Sequence, residues 1–150
     1  MDIKASLPYP SGALSNFAPH KFIFDGVLCA SMEGWLQSLL EHDEKIQAEI
    51  CQLVGIEAKR LGLELIKNWD RKTLWWKGRK YDRHSQEYQE LLNRAYEALF
   101  TQCEDFREAL WATGNENLTH SIGVSDPYED ILTEEEFVLR LMKLRDKLYS

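Results

Sequence analysis

Glu33 is the residue best placed to do chemistry. It stands in Ser31-Met-Glu-Gly-Trp-Leu-Gln37, in the first turn of a short apolar helix, with Gln37 one turn further on. A carboxyl among Met32, Trp35 and Leu36 loses water, which raises its pKa toward values useful for proton transfer. In the same position it could serve only as a helix-dipole partner, worth ~0.3–1 kcal/mol. Upstream, Leu14-Ser-Asn-Phe17 sets Ser15 and Asn16 in an apolar loop. Their side chains can offer donors and acceptors to a sugar or base edge, or close a turn on their own backbone.

Three further groups could complete a site. Lys59-Arg60 lies beside a glycine and could hold a phosphate, or form a solvated helix face. Residues 71–83 place Arg71, Lys72, Lys77, Arg79, Lys80 and Arg83 around Trp75 and Trp76. That pattern suits one tryptophan in the core and one stacked on a ligand base, a contact worth ~1–3 kcal/mol. Asp126, Glu129 and Asp130 form a carboxylate cluster, one member of which could face Glu33 and stabilise a cationic sugar transition state. His120-Ser121 invites a Ser/His reading, but no GxSxG elbow accompanies it. Neither GxxxxGK[ST] nor GxGxxG occurs, which weighs against a P-loop NTPase, a kinase or a Rossmann dehydrogenase.

The elements that must position these residues read as one domain over residues 1–150, α+β and mainly helical. With 44% hydrophobic and 29% charged residues the composition is that of an ordinary globular protein. A net charge of −7 argues against a broad grip on duplex nucleic acid. No long apolar run suggests a signal peptide or a membrane span, so a cytoplasmic protein is expected, with Cys29, Cys51 and Cys103 as reduced thiols. Neither metal nor cofactor is expected. Residues 1–20, with Pro8, Pro10 and Pro19, read as an irregular arm. Asp25-Gly26 predicts a hairpin, and Lys77-Gly78 a second, weaker one.

Apolar spacing predicts a helix after Ser31 with Met32, Trp35, Leu36, Leu39 and Leu40 on one face. A second helix should turn Ile46, Ile50, Leu53 and Val54 inward and end at Gly55, and a third should cover 56–69. The longest should follow Ser85, with another over 104–113 ending at Gly114. A last helix should open on the capping box Thr133-Glu-Glu-Glu136. Residues 115–132 read as a long loop.

Taken together, Leu14-Ser-Asn-Phe17, Phe24-Asp-Gly26, Glu33 with Gln37, Ala58-Lys-Arg-Leu-Gly62 and Ala109-Leu-Trp-Ala-Thr-Gly114 resemble the NADAR (NAD and ADP-ribose), or YbiA-like, family. Leu74 to Ser85 and Ile131-Leu-Thr-Glu-Glu-Glu-Phe137 look like its bacterial and phage branch. The resemblance implies a mainly helical domain acting as an N-glycosidase on an ADP-ribosyl or ribosyl-phosphate conjugate, with ADP-ribosylated nucleic acid among the candidate substrates. The alternative it leaves open is a non-catalytic ADP-ribose or nucleotide sensor. Glu33 would be the catalytic carboxylate, and Asp126 the loose counterpart of a second family acid. Asn16 would contact the ribosyl ligand and Lys59 or Arg60 would lie near its phosphate; Ser15, Phe17, Gln37, Trp75, Trp76 and His120 are the further candidate contacts read from the residues themselves. Family members commonly have Glu-His where this chain has Glu33-Gly34, and many have a lysine where it has Leu40.

Overall fold

In the computed structural model, which describes residues 1–149, Asp25 and Gly26 both take positive φ, 48° and 80°. A type I′ hairpin turn needs that pair of angles, and Asp-Gly adopts it readily. The turn joins β1 (Phe22–Phe24) to β2 (Val27–Cys29), with Phe22 opposite Cys29 and Phe24 opposite Val27. Lys77 and Gly78 take the same shape at 49° and 82°. They join β3 (Thr73–Trp76) to β4 (Arg79–Asp82), so the second hairpin forms on the weaker turn signal as well.

Seven α-helices surround these two small antiparallel sheets among the described residues. They are α1 (Ser11–Leu14), α2 (Met32–Ser38), α3 (Glu44–Ile50), α4 (Gly55–Leu65), α5 (Gln86–Gln102), α6 (Glu104–Ala112) and α7 (Glu134–Lys147). A single 3-10 turn, Ile66–Asn68, prolongs α4. Nearly all the buried hydrophobic side chains gather into one cluster. In it α5 contributes Tyr88, Leu91, Leu92, Ala95, Tyr96 and Leu99, the face that its spacing predicts. Phe137, Leu141 and Leu144 of α7 join the same core, behind the expected capping box on Thr133 and Glu136. No helix among the described residues is long and apolar enough to cross a membrane.

Two helices differ from the sequence reading. All of α2 is buried, not one face of it, because α4 packs over its Glu33–Gln37 side. Its other side carries Trp35, which meets Phe24 edge-on at 5.5 Å and Trp76 at 5.8 Å. The helix also stops at Ser38, leaving Leu40 beyond its end and half-buried against the core. In α3, Gln47 takes the inward position and Ile46 is exposed. The Gln47 amide donates to the Ser38 and Trp75 carbonyls, a pair of buried acceptors that draws the polar side chain inward. Gly55, at φ 52°, opens α4 instead of closing α3.

The N-terminal arm contains only the single turn of α1, as its prolines suggest, but it is firmly attached. Ile3 N–H donates to the Thr119 carbonyl at 2.8 Å, and Thr119 N–H to that of Met1 at 2.9 Å. The Asp2 carboxylate accepts from the Ser121 hydroxyl and backbone N–H and from the Thr119 hydroxyl. Those bonds, Ser121's first, lower its pKa to about 2. The arm thus fixes the start of the long loop that leads to α7.

Candidate functional site

A cavity of about 240 Å³ opens between α2, the Ser15–Phe17 loop, α4 and the 120–133 loop. On the helix side Ser31 caps α2, accepting from Gly34 N–H at 3.0 Å, and places Glu33 in the first turn. Glu33 is 7% exposed. Its Oε1 accepts from Gln37 Nε2 at 2.9 Å, and its backbone N–H donates to the Asn16 carbonyl at 3.0 Å. Burial raises the Glu33 pKa against the opposing influence of the Gln37 amide and the Lys59 charge, and the Asp130 charge raises it further.

Two glycines let this wall close up. A Cβ at Gly34 would stand 2.5 Å from the Leu53 carbonyl oxygen, with those of Ile50 and Cys51 at 3.0 and 3.1 Å. A Cβ on Gly62 would fall 2.0 Å from Gln37 Oε1. A side chain at position 34 therefore has no room, because the end of α3 and the α3–α4 connection occupy the space.

The opposite wall is loop. Asp130, Ile131, Leu132 and Thr133 line it together with His120, Ile122, Gly123 and Val124. Arg83, 1% exposed, donates from Nε to the Asp130 carbonyl at 3.0 Å and pairs bidentately with Glu136 at 2.6 and 3.0 Å. Burial alone would raise the Glu136 carboxyl, but Arg83, the Thr133 N–H and Gln89 hold it below its ordinary value. His120 Nδ1 lies 2.7 Å from the Ile3 carbonyl, which can only accept, so Nδ1 carries the proton and Nε2 is the ring's free acceptor when neutral. A side chain at Gly123 would meet the His120 ring at 2.7 Å.

Of the residues singled out in the sequence, the cavity gathers Ser15, Asn16, Phe17, Glu33, Gln37, Lys59 and His120. Four lie elsewhere. Arg60 is exposed on α4, one position round the helix from Lys59. Asp126 is exposed and accepts from Tyr128 N–H, a local turn bond; Asp130 is the carboxylate that lines the cavity. Trp76 is core, stacked on Phe24 at 5.6 Å with its indole N–H donated to Asp25. Trp75 is half-buried beside His42. Neither tryptophan reaches the cavity, because β3 joins the far end of α2, where Trp75 N–H meets the Leu39 carbonyl. The aromatic wall comes from Phe17 instead. Sequence reasoning did not mark the apolar lining residues Ile122, Val124 and Leu132, which carry no signal apart from their place in a long loop.

Comparison with known proteins agrees with this architecture. The solution structure of the Escherichia coli protein YbiA superposes with a TM-score of 0.66 over 99% of this chain and 84% of that one, at 22% identity. The chain therefore has the YbiA fold. A 17.1 kDa protein from the Gp30–rIII intergenic region of Enterobacteria phage T4 is 38% identical over 149 residues, covering 99% of this chain and 98% of that protein. The family model described as bacteriophage protein GP30.3 matches residues 8–146. With nearly its whole length matched on both counts, the chain belongs to the bacteriophage GP30.3 family.

Proposed function

We propose that the cavity binds the ribosyl phosphate part of an ADP-ribosyl or ribosyl-phosphate conjugate and hydrolyses its N-glycosidic bond. The observation that carries this reading is the buried carboxyl of Glu33, hydrogen-bonded by Gln37, in one cavity with Asp130, Asn16 and Lys59. When the bond from the anomeric carbon to the base nitrogen breaks, its electron pair leaves with the base and positive charge spreads over the sugar ring. A carboxylate beside the ring stabilises that charge, a part that suits Asp130. Water then adds to the anomeric carbon and gives up a proton. Glu33, which keeps its proton more readily for being buried, suits giving that proton to the departing base nitrogen and then taking up the one that the adding water releases. Lys59 supplies from α4 the ammonium that many NADAR sequences place seven residues after the glutamate, where this chain has Leu40.

The cavity's volume refines the ligand. At about 240 Å³ it lies below the ~300–1,000 Å³ usual for drug-sized ligands, so it encloses a sugar and phosphate and leaves the rest of a larger conjugate outside. A non-catalytic sensor of the same ligands is the second reading, favoured by the turn of Leu40 to the core. Two measurements decide. Calorimetry and thermal shift with millimolar ADP-ribose and ribose 5-phosphate should show binding, and no response to either would defeat both readings. Glu33→Gln should then lower release of free base from an ADP-ribosylated or ribosyl-phosphate substrate by about a hundredfold or more while changing affinity little. Binding without any turnover by the unaltered chain would leave the sensor.

A further inference from the structure

Two phenol hydroxyls on α5 reach the two walls from behind. Tyr88 and Tyr96 are eight residues apart, so they share a face of the helix about 12 Å apart along its axis. They are 0% and 1% exposed. Tyr96 donates to Asn16 Oδ1 at 2.8 Å, and Tyr88 donates to the Ile131 carbonyl at 2.6 Å. One bond ends on the Ser15–Phe17 side of the cavity, the other on the loop side next to Asp130.

The chemistry of each bond has one direction. A buried hydroxyl is costly unless it donates, and Asn16 is the acceptor in Tyr96's hydrogen bond. The amide of Asn16 is thereby fixed with Oδ1 turned back to α5, which leaves its Nδ2 donors for the cavity the residue lines. The Ile131 carbonyl can only accept, and its neighbour Asp130 is held at both ends: Arg83 takes its carbonyl, and its own Oδ1 accepts from Ile131 N–H at 2.7 Å. Burial pushes both phenols above their ordinary pKa, so both remain donors through the usual working range.

We propose that Tyr96 and Tyr88 are positioning residues for this site. Tyr96 makes the Asn16 wall a hydrogen-bond donor, so the ligand atom seated there is an acceptor such as a ribose or phosphate oxygen. Tyr88 holds the loop that carries Asp130 in the wall opposite Glu33. The identity of the ligand rests on the ribosyl reading above; the brace itself does not.

Phenylalanine at either position removes one hydroxyl and keeps the ring. Tyr96→Phe should weaken ribose 5-phosphate or ADP-ribose about tenfold, or ~1.4 kcal/mol. In an Asn16→Ala background it should add nothing, because Tyr96 acts through Asn16. Tyr88→Phe should lower kcat with KM nearly unchanged, and should add nothing in an Asp130→Asn background. Losses that multiply in the double variants would overturn the proposal. Asn16→Asp keeps an oxygen for Tyr96 and turns a second oxygen to the ligand; undiminished phosphate binding by it would overturn the donor assignment.

If neither ligand binds the unaltered protein, the functional reading fails and the brace is read by NMR alone. Tyr96→Phe should then shift the Asn16 side-chain amide and leave the Ile131 and Thr133 amides in place. Tyr88→Phe should do the reverse and speed hydrogen exchange at those two amides. An Asn16 amide that ignores Tyr96→Phe, or a loop that ignores Tyr88→Phe, would refute the corresponding half.

Discussion

The two walls of the cavity are built on different principles. The α2 wall is held by apolar burial and by backbone pressed against backbone: every residue of the helix is buried, and Gly34 lies against three carbonyls of the α3–α4 connection. The 120–133 wall has little core of its own. It is tied by polar bonds from Arg83, Tyr88, Glu134, Glu136 and Asp2. Close packing admits one arrangement and fails by steps when a methyl is added or removed. A polar tie can break singly and let a loop move without unfolding the domain. Glu33 thus sits on the part that cannot shift, and Asp130 on the part that can.

Three variants test that contrast, the largest effect first. Arg83→Leu removes the cation from a buried bidentate pair and leaves Glu136 with Gln89 and the Thr133 N–H alone. Breaking such a pair typically costs about 3–5 kcal/mol, and chemical denaturation should find a loss of that order. Hydrogen exchange should show it concentrated at 130–136, with α2 amides keeping their protection relative to the global stability. Equal loosening of both walls would erase the distinction between them.

Gly34→Ala acts on the other wall. Its Cβ meets backbone carbonyls, which cannot swing aside as a side chain can, so ~1–3 kcal/mol of stability should be lost. Loosening should appear where α2 meets the end of α3 and the α3–α4 connection, with the loop bonds retained. An alanine accommodated without cost would show that the helix wall yields after all.

The smallest effect has the opposite sign. The Glu33 carboxyl holds its proton to higher pH in the folded chain than its ordinary 4.5. Below that value the folded and unfolded carboxyls are both protonated and nothing is lost. As pH rises from there to the folded pKa, the unfolded carboxyl ionises first and the fold loses stability, levelling off above. Glu33→Gln should therefore match the unaltered protein in acid and melt higher at neutral pH. A variant that melts lower at neutral pH would show that the charge is held by the fold and not strained by it.

The fold was legible wherever local chemistry decides it. Asp25-Gly26, the capping box at Thr133 and the unbroken stripe of α5 all lie within a few residues of what they specify. The helix wall was legible for the same reason, since Glu33, Gln37 and Lys59 lie on short helical segments whose phase can be counted. The loop wall was not. Nothing in Asp126, Glu129 and Asp130 distinguishes them locally; Asp130 is singled out by Arg83, forty-seven residues earlier, through a backbone carbonyl that has no sequence identity. The pair Trp75-Trp76 was half legible: one of them is core as expected, but that it is Trp76, in a slot made by Phe24 and Trp35, has no local sign, and Trp75 lies beside His42, away from the cavity. Blindness to distant partners also put Ile46 inside in the sequence reading of α3, where Gln47 is the buried residue.

The close approach of the Gln37 amide to Gly62 has a consequence for how such chains diversify. Any residue with a Cβ at 62 would displace the amide of Gln37, the group that hydrogen-bonds Glu33. Positions 37 and 62 are therefore heritable only as a pair: a larger residue on α4 requires a shorter one on α2, and the acid then gives up its donor. A relative that carries both changes would keep the scaffold and the buried carboxyl, yet titrate differently, its proton affinity reset by a substitution on the neighbouring helix.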